Sequence, residues 1–227
     1  EGEVFNLTIL QTNDLHGQLE SLTPLGTWDW STWPPTWIPK LDSDGNPVFH
    51  ENNIAKYATI IKQVRAQEQN VLLVDGGDIF WRGPFAALQG EVEAAVLKKI
   101  GYDVMVLGNN DFRINQAGTG TPEERYEQLK DYHRDVNFPI LCANVVVKET
   151  GKLIQNIKAF KIFTYSGVKV NVVGVTSMKP EERGFLEVAD LDFIPPVESL
   201  TNTLASMNPK SDINLEITPT KTASERK

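Results

Sequence analysis

Polar side chains of the kind that bind metal ions follow three apolar segments of this sequence. Asp14 and His16 come after the first segment, Asp78 after the second and Asn109 after the third. Carboxylate and amide oxygens and an imidazole suit Mg, Mn, Fe or Zn in a hydrolytic centre. Because aspartates follow two of the segments, a two-metal arrangement with a bridging carboxylate is sterically plausible. The residue types therefore predict a hydrolytic metal centre.

A structural interpretation of the same residues stands beside this one. Aspartate and asparagine after a strand often form turns or helix caps, and one such stretch alone would favour that role. Three successive stretches, each beside a glycine and one containing Asp-Leu-His, favour a shared site.

The elements around these residues indicate where they meet. Residues 5–11, 70–75 and 103–107 are short and mostly apolar, which predicts buried strands. Helices are predicted after an N-cap at Asn53, from about Gly90 to Ile100, and from Thr121 to about Arg134. This alternation indicates an α/β sheet with parallel strands at its centre, and such sheets bind ligands beyond the carboxyl ends of their strands.

The second half of the chain predicts further strands in the same domain. They are expected at residues 139–147, as an antiparallel pair within 159–177, and at 212–218, with a short helix after Pro196. We expect one domain over residues 1–210, followed by the last strand and a frayed tail over residues 211–227.

Residues 21–52 are rich in tryptophan and proline and are predicted to form a long irregular insertion. They contain five prolines and four tryptophans, Trp28, Trp30, Trp33 and Trp37. These rings offer surfaces that could stack on a sugar or a base. The alternative, which we favour from the sequence, is that they pack the insertion against the domain.

Composition limits the classes of partner. The net charge of −8 argues against nucleic acid and anionic membranes, because both reward clustered lysine and arginine. No apolar run reaches the length of about 18 residues needed to span a bilayer. Cys142 is the only cysteine, so an internal disulfide and a thiolate zinc site are excluded. The chain begins at Glu1 rather than methionine, which suggests a removed leader and a secreted, periplasmic or cell-surface protein.

Three motifs carry a resemblance to a known family. The segments "LTILQTNDLHGQLE", "VLLVDGGDIFWRGP" and "DVMVLGNNDFR" resemble, in order and spacing, the motifs of the 5'-nucleotidase family of calcineurin-like metallophosphoesterases. The later segments "FPILCANV" and "FIPPVESL" are also similar, so the resemblance covers most of residues 5–200. It implies a four-layered αββα domain with partly parallel sheets and two divalent ions, Zn, Mn, Mg or Fe. It also implies hydrolysis of a phosphomonoester such as a nucleoside 5'-phosphate.

The resemblance also implies roles for individual residues. Asp14 and His16 would bind the first metal, Asp78 would bridge both metals, and Asn109 would bind the second. A metal-bound hydroxide would then attack the phosphorus in line. Arg82 and Arg113 follow two of the motifs and are expected to face a phosphate as bidentate donors, although salt bridges or helix caps would explain them equally well.

The third motif departs from the family at a catalytic position. Asn110 stands where the family has histidine, and we expect Asp111 to hold it. These two positions are the candidate catalytic residues. An amide can donate a hydrogen bond but cannot supply a proton, and losing general acid help reduces rates by about 10²- to 10⁴-fold.

The histidine content marks a second departure. The chain has three histidines, His16, His50 and His133, whereas the family supplies further metal-binding histidines downstream. We expect His50 and His133 to be surface or packing residues. The domain is therefore expected to be incomplete at its C-terminus, without the family's nucleotide-binding second domain, and a weak or inactive hydrolase. The alternative is a non-catalytic binding protein on the same fold that uses the tryptophan-rich segment.

Overall fold

The secondary structure follows the chain in an alternating α/β order. The computed structural model describes residues 4–20, 24–49, 53–80, 85, 88, 90–113, 136–178, 188–207 and 211–218. Its strands are β1 (Thr8–Thr12), β2 (Gly26–Asp29), β3 (Thr36–Pro39), β4 (Val71–Asp75), β5 (Val104–Val106), β6 (Ile140–Leu141), β7 (Val145–Val147), β8 (Lys152–Leu153), β9 (Phe160–Tyr165), β10 (Val168–Gly174), β11 (Leu191–Phe193) and β12 (Ile213–Ile217). Its α-helices are α1 (Ile54–Gln67), α2 (Glu91–Ile100) and α3 (Pro196–Ser206), and a 3₁₀ turn covers Asp111–Arg113.

Two larger sheets organise the domain. The first has the order β1-β4-β5-β6, and all of its neighbours are parallel. In the second, β10 pairs antiparallel with β9 and parallel with β12. Smaller sheets join β7 to β8 and β11, and β2 to β3. The three strands that precede the candidate ligands are thus neighbours in one parallel sheet, as predicted.

Successive apolar side chains of β4 point to opposite faces of the first sheet and are packed on both. Leu73 belongs to the same buried cluster as Ile61 of α1 and Leu97 of α2. Leu72 belongs instead to a cluster with Val172 of β10. The first sheet therefore lies between the two helices and the second sheet, since successive side chains of a strand point to opposite faces.

Helix α3 covers the other face of the second sheet. Leu200 and Leu204 of this helix pack with Val173 of β10. The layers are therefore helix, sheet, sheet and helix, which confirms the predicted four-layered fold.

Local signals fixed the helix ends that the structure describes. The Asn53 side chain accepts a hydrogen bond from the Lys56 N–H at 3.1 Å, as an N-cap should. Helix α2 ends at Gly101, whose φ of 87° places it in the left-handed region. None of the described helices has the length and apolar character needed to cross a membrane.

The tryptophan-rich insertion differs from its prediction. It contains a hairpin, β2–β3, in which Trp28 pairs directly with Trp37. A second turn follows, where the Asp42 carboxylate accepts hydrogen bonds from the N–H groups of Asp44 and Asn46. Cross-strand ring packing and this side-chain turn give order to a segment that its proline content predicted to be irregular.

Some predictions fall outside the described residues. They are the helix from Thr121 to Arg134, the tail after residue 218, His50, His133 and Arg82. The strand expected at 212–218 is β12, and it belongs to the second sheet. The domain division at residue 210 stays a prediction.

Candidate metal centre

The loops that follow β1 and β4 are joined by backbone hydrogen bonds beyond the ends of both strands. The Asp14 N–H donates to the Gly77 carbonyl and the His16 N–H donates to the Asp78 carbonyl, both at 2.9 Å. These bonds continue the pairing of β1 with β4. They bring Asp14, His16 and Asp78 to the same edge of the sheet.

All three of these residues have an unusual backbone conformation. Their φ angles are 55° for Asp14, 47° for His16 and 58° for Asp78. L-residues rarely adopt positive φ, and each instance costs about 1–3 kcal/mol. Such strain persists only where the surrounding structure enforces it, and it is concentrated at functional sites.

The three side chains form a compact group of potential ligands. One ligand atom from each lies within 4.8 Å of the others. His16 Nε2 is 3.7 Å from Asp14 Oδ1 and 4.0 Å from Asp78 Oδ2. The Asp78 side chain is buried, whereas the Asp14 side chain is 41% exposed, so the group opens towards solvent at Asp14.

These distances test whether the group fits a cation. Two ligand atoms that each lie about 2.1 Å from one ion are at most about 4.2 Å apart. Both contacts of His16 Nε2 satisfy this limit, yet both are too long for hydrogen bonds. Two carboxylates and an imidazole nitrogen that face one another without bonding directly are a suitable donor set for a divalent metal.

Asn110 holds the carboxylate of Asp78. Its backbone N–H donates to Asp78 Oδ1 at 2.7 Å, and its side-chain Nδ2 donates to Asp78 Oδ2 at 2.9 Å. Both carboxylate oxygens therefore have a fixed partner on the loop that follows β5, which we call the third loop. Asn110 orients a candidate ligand, whereas the sequence predicted that Asp111 would hold Asn110.

Asp111 lies beneath the site. Its carboxylate is fully buried and accepts four backbone N–H bonds of 2.8–3.1 Å, from Gly108, Asp78, Ile79 and Phe80. Burial and the negative charge of Asp78 raise the pKa of Asp111, while the N–H donors of Gly108, Phe80 and Asp78 oppose that rise. This carboxylate has no path to a substrate, so its geometry fits a positioning residue.

Two glycines allow the loop after β4, which we call the second loop, to touch the third loop. A Cβ atom on Gly77 would lie 2.3 Å from the Gly108 nitrogen. A Cβ atom on Gly108 would in turn lie 2.3 Å from the Asp78 nitrogen. The contact between Asp78 and the third loop therefore depends on glycine at both positions.

A buried polar network lies next to the candidate ligands. Asp75 ends β4, and its carboxylate accepts hydrogen bonds from Thr12 Oγ1 at 2.6 Å and from the Gly77 N–H at 2.8 Å. The Thr12 hydroxyl is also 2.8 Å from the Tyr102 hydroxyl. Burial is the main cause that raises the pKa of Asp75 to about 7, and the charges of Asp14 and Asp78 add to it.

The structure does not test the roles of the remaining predicted site residues. Asn109 is half-buried and lies between Gly108 and Asn110, both of which contact Asp78. Arg113 ends the 3₁₀ turn, but its side chain is outside the described structure. The metal-binding role of Asn109 and the phosphate-binding roles of Arg82 and Arg113 stay predictions.

Sequence reasoning missed the partners of the buried carboxylates. The bonds of Asp111 join residues more than 30 positions apart, except for the bond from Gly108, and no local pattern encodes them. Asp75 carried a signal, since a carboxylate that ends an apolar strand such as "VLLVD" must find partners when it is buried.

Comparison with known proteins agrees with this geometry. The family profile described as calcineurin-like phosphoesterase matches residues 7–196. A 5'-nucleotidase of Vibrio cholerae is 31% identical over 224 residues, which cover 96% of this chain and 34% of that protein. A 5'-nucleotidase of Rattus norvegicus is 33% identical over 181 residues, which cover 76% of this chain and 26% of that protein.

Among solved structures, a 5'-nucleotidase precursor from Thermus thermophilus has a similar fold. The TM-score is 0.68 at 22% identity, over 94% of this chain and 37% of that one. The chain thus spans roughly a third of the length of the Vibrio and Thermus proteins. With the profile match over most of its length and with the Asp-His-Asp group at the ends of its parallel strands, the chain belongs to the calcineurin-like phosphoesterase family.

Proposed function

We propose that this chain carries part of a two-metal centre that hydrolyses phosphomonoesters, with nucleoside 5'-phosphates as the substrate class and little turnover of its own. The observation that carries the proposal is the convergence of Asp14, His16 and Asp78, whose ligand atoms lie within 4.8 Å of one another. The 5'-nucleotidase relatives support the choice of substrate.

The roles of the residues follow from their contacts. Asp14, His16 and Asp78 would hold the first ion, and Asn109, beside the second loop, would serve the other. A bound divalent ion activates water and neutralises charge on phosphoryl oxygens. Asn110 keeps both oxygens of Asp78 oriented and, as an amide, donates hydrogen bonds without transferring a proton.

Weak turnover is the expected consequence of the histidine content. Of the chain's three histidines, His16 is the one that the structure places beside the carboxylates, and the other two are outside the described residues. Loss of ligands directly bound to a metal lowers affinity steeply. We therefore expect that Asn110→His alone does not produce an efficient enzyme. The secreted, periplasmic or cell-surface location stays a prediction. So does the nucleotide-binding domain that the family would add to this one.

Metal binding is the first test. We expect Mn²⁺ or Zn²⁺ at millimolar concentration to raise the Tm of the wild-type chain in a thermal unfolding assay, and Asp78→Ala to abolish the rise. Asp192→Ala is the matched control, because this exposed aspartate pairs only loosely with Lys148, at 3.8 Å, and should leave the rise intact. Absence of any metal-induced shift in the wild type would contradict the proposed centre.

Turnover is the second test. Phosphate release from adenosine 5'-monophosphate and from p-nitrophenyl phosphate is measured with and without added metal, for the wild type, Asp14→Ala and Asp78→Ala. We expect slow, metal-dependent release that both substitutions remove. A rapid rate that depends on both aspartates would contradict the expectation of little turnover, and a rate indifferent to both would contradict the site.

A further inference from the structure

A second region of the molecule carries a surface that the phosphoesterase site does not use. We call residues 24–49, which include β2 and β3, the aromatic arm. Every described residue in it is exposed or half-buried, and none is buried. Described residues on either side of the insertion are joined to each other, since the Ile54 N–H donates to the Leu19 carbonyl at 2.9 Å.

The aromatic arm exposes an unusual amount of apolar surface. Eleven large hydrophobic side chains are exposed in the described ranges, and six of them lie in these 26 residues: Trp28, Trp30, Trp33, Ile38, Leu41 and Phe49. Trp30 is 74% exposed and Trp33 is 91% exposed. The rings of Trp28, Trp30 and Trp33 therefore face solvent, against the interpretation favoured from the sequence, whereas Trp37 is half-buried. Concentrated exposed apolar surface marks an interaction site.

The arrangement of the rings does not form a flat platform. Trp28 packs edge-on against Trp37 at 5.2 Å and 68°, and it is tilted by 48° from Trp30. The Trp37 ring also lies over Gly26, whose missing Cβ would be 2.9 Å from Cε2 of that ring. These rings therefore offer no single flat face for stacking on a planar ligand.

Apolar groups lie on both faces of the hairpin and at its tip. Trp28 and Trp37 occupy one face, and Ile38, which pairs with Thr27, occupies the other. A groove on a folded protein would cover only one of these faces. A medium that surrounds the tip would cover both.

Charges are segregated from the tip of the arm. Residues 30–39, "WSTWPPTWIP", contain no charged side chain. The charges of the arm flank this stretch, at Asp29, Lys40, Asp42 and Asp44. The Asp29 carboxylate is bonded to the backbone N–H and the hydroxyl of Ser31, at 2.9 and 2.6 Å. An uncharged tip with charges behind it matches the polarity profile of a bilayer surface.

From this pattern we propose that the aromatic arm inserts its tip into the interfacial region of a bilayer of neutral, zwitterionic lipids. Tryptophan prefers the membrane–water interface, because its ring is apolar while its N–H stays near polar groups. The net charge of −8 and the arm's excess of three aspartates over one lysine disfavour anionic lipids. Insertion is peripheral and involves no membrane-spanning element.

Vesicle binding by the full chain tests this proposal. We expect the protein to float with phosphatidylcholine vesicles and to bind less to vesicles that also contain phosphatidylglycerol. Four of the five tryptophans lie in residues 28–37, so their fluorescence should shift to shorter wavelength on binding and should be quenched by brominated lipids. Raising the salt concentration should not release the protein, because screening weakens charge pairing and not apolar insertion.

Matched variants locate the binding surface. Trp30→Ala with Trp33→Ala should reduce vesicle partitioning by about ten-fold or more, because both rings lose their lipid contact. The corresponding phenylalanine pair should retain most of it. Ile60→Ala with Val197→Ala removes exposed apolar groups elsewhere and should change nothing. Asp78→Ala should also bind normally, which separates this result from the fate of the metal centre. Circular dichroism confirms that each variant is folded.

Three outcomes would overturn the proposal. They are no binding of the wild type to phosphatidylcholine vesicles, equal binding by the tryptophan-to-alanine pair, and arm-dependent binding to soluble starch or to a protein partner without any binding to vesicles.

Discussion

The loops of the metal centre and the aromatic arm both connect elements of the main domain, yet they are built in opposite ways. In the loops, hydrogen bonds join positions more than 30 residues apart, such as Asn110 with Asp78. In the arm, the Asp42 carboxylate bonds to residues no more than four positions away. The geometry of the site therefore depends on the whole sheet, whereas the arm holds its shape by itself.

The two regions also differ in backbone strain. The loops place Asp14, His16 and Asp78 at positive φ, although none is glycine. In the described part of the arm, positive φ occurs at Gly45, where it costs little. Positive φ at non-glycine residues thus occurs at the candidate ligands, which must point in fixed directions, and not in the arm, whose surface needs only to be exposed.

The sharpest test of this difference is a pair of glycine substitutions. Gly77 and Gly45 both have positive φ, at 98° and 82°, but an added Cβ meets the third loop 2.3 Å away at Gly77 and nothing within 4 Å at Gly45. We expect Gly77→Ala to lower the free energy of unfolding by about 3 kcal/mol or more, and Gly45→Ala by about 1 kcal/mol. Denaturant titration measures both. Equal losses would mean that the contact between the loops contributes nothing.

A pair of aspartates sharpens the comparison further. Asp111→Asn places an NH₂ group against backbone donors inside the protein and should cost about 2–3 kcal/mol of stability. Asp42→Asn makes a similar change on the exposed arm and should cost less than about 0.5 kcal/mol. Asp111→Asn should also reduce the metal-induced rise in Tm, because the Asp78 backbone loses its partner. If it left that rise unchanged, Asp111 would not position the site.

The smallest expected effect is a dependence of stability on pH. Because the pKa of folded Asp75 is raised to about 7 from an ordinary 3.8, the folded state keeps a proton that the unfolded state has lost. Stability should therefore fall as pH rises between these values, by about 1 kcal/mol between about pH 5 and about pH 6. Chemical unfolding of the wild type and Asp75→Asn at several pH values measures the difference, which isolates Asp75 from other titrating groups. Parallel curves for the two proteins would contradict the raised pKa.

The sequence predicted the scaffold of the site because its signals are local. Short apolar strands, the Asn53 cap and the glycine after α2 each act within a few residues, and the structure confirms them. The topological rule for parallel sheets then placed Asp14, His16 and Asp78 together. That inference needed only the alternation of strands and helices along the chain.

The sequence alone determined the fold class, the edge of the sheet where the polar residues meet and the residue types present there. Only the tertiary structure decided that Asn110 holds Asp78, that Asp111 supports the loops from below, and that three tryptophans of the arm face solvent. The physical reason is that these outcomes depend on which distant backbone donors reach a buried carboxylate and on whether another layer covers an apolar ring. Neither is encoded in the residues next to them.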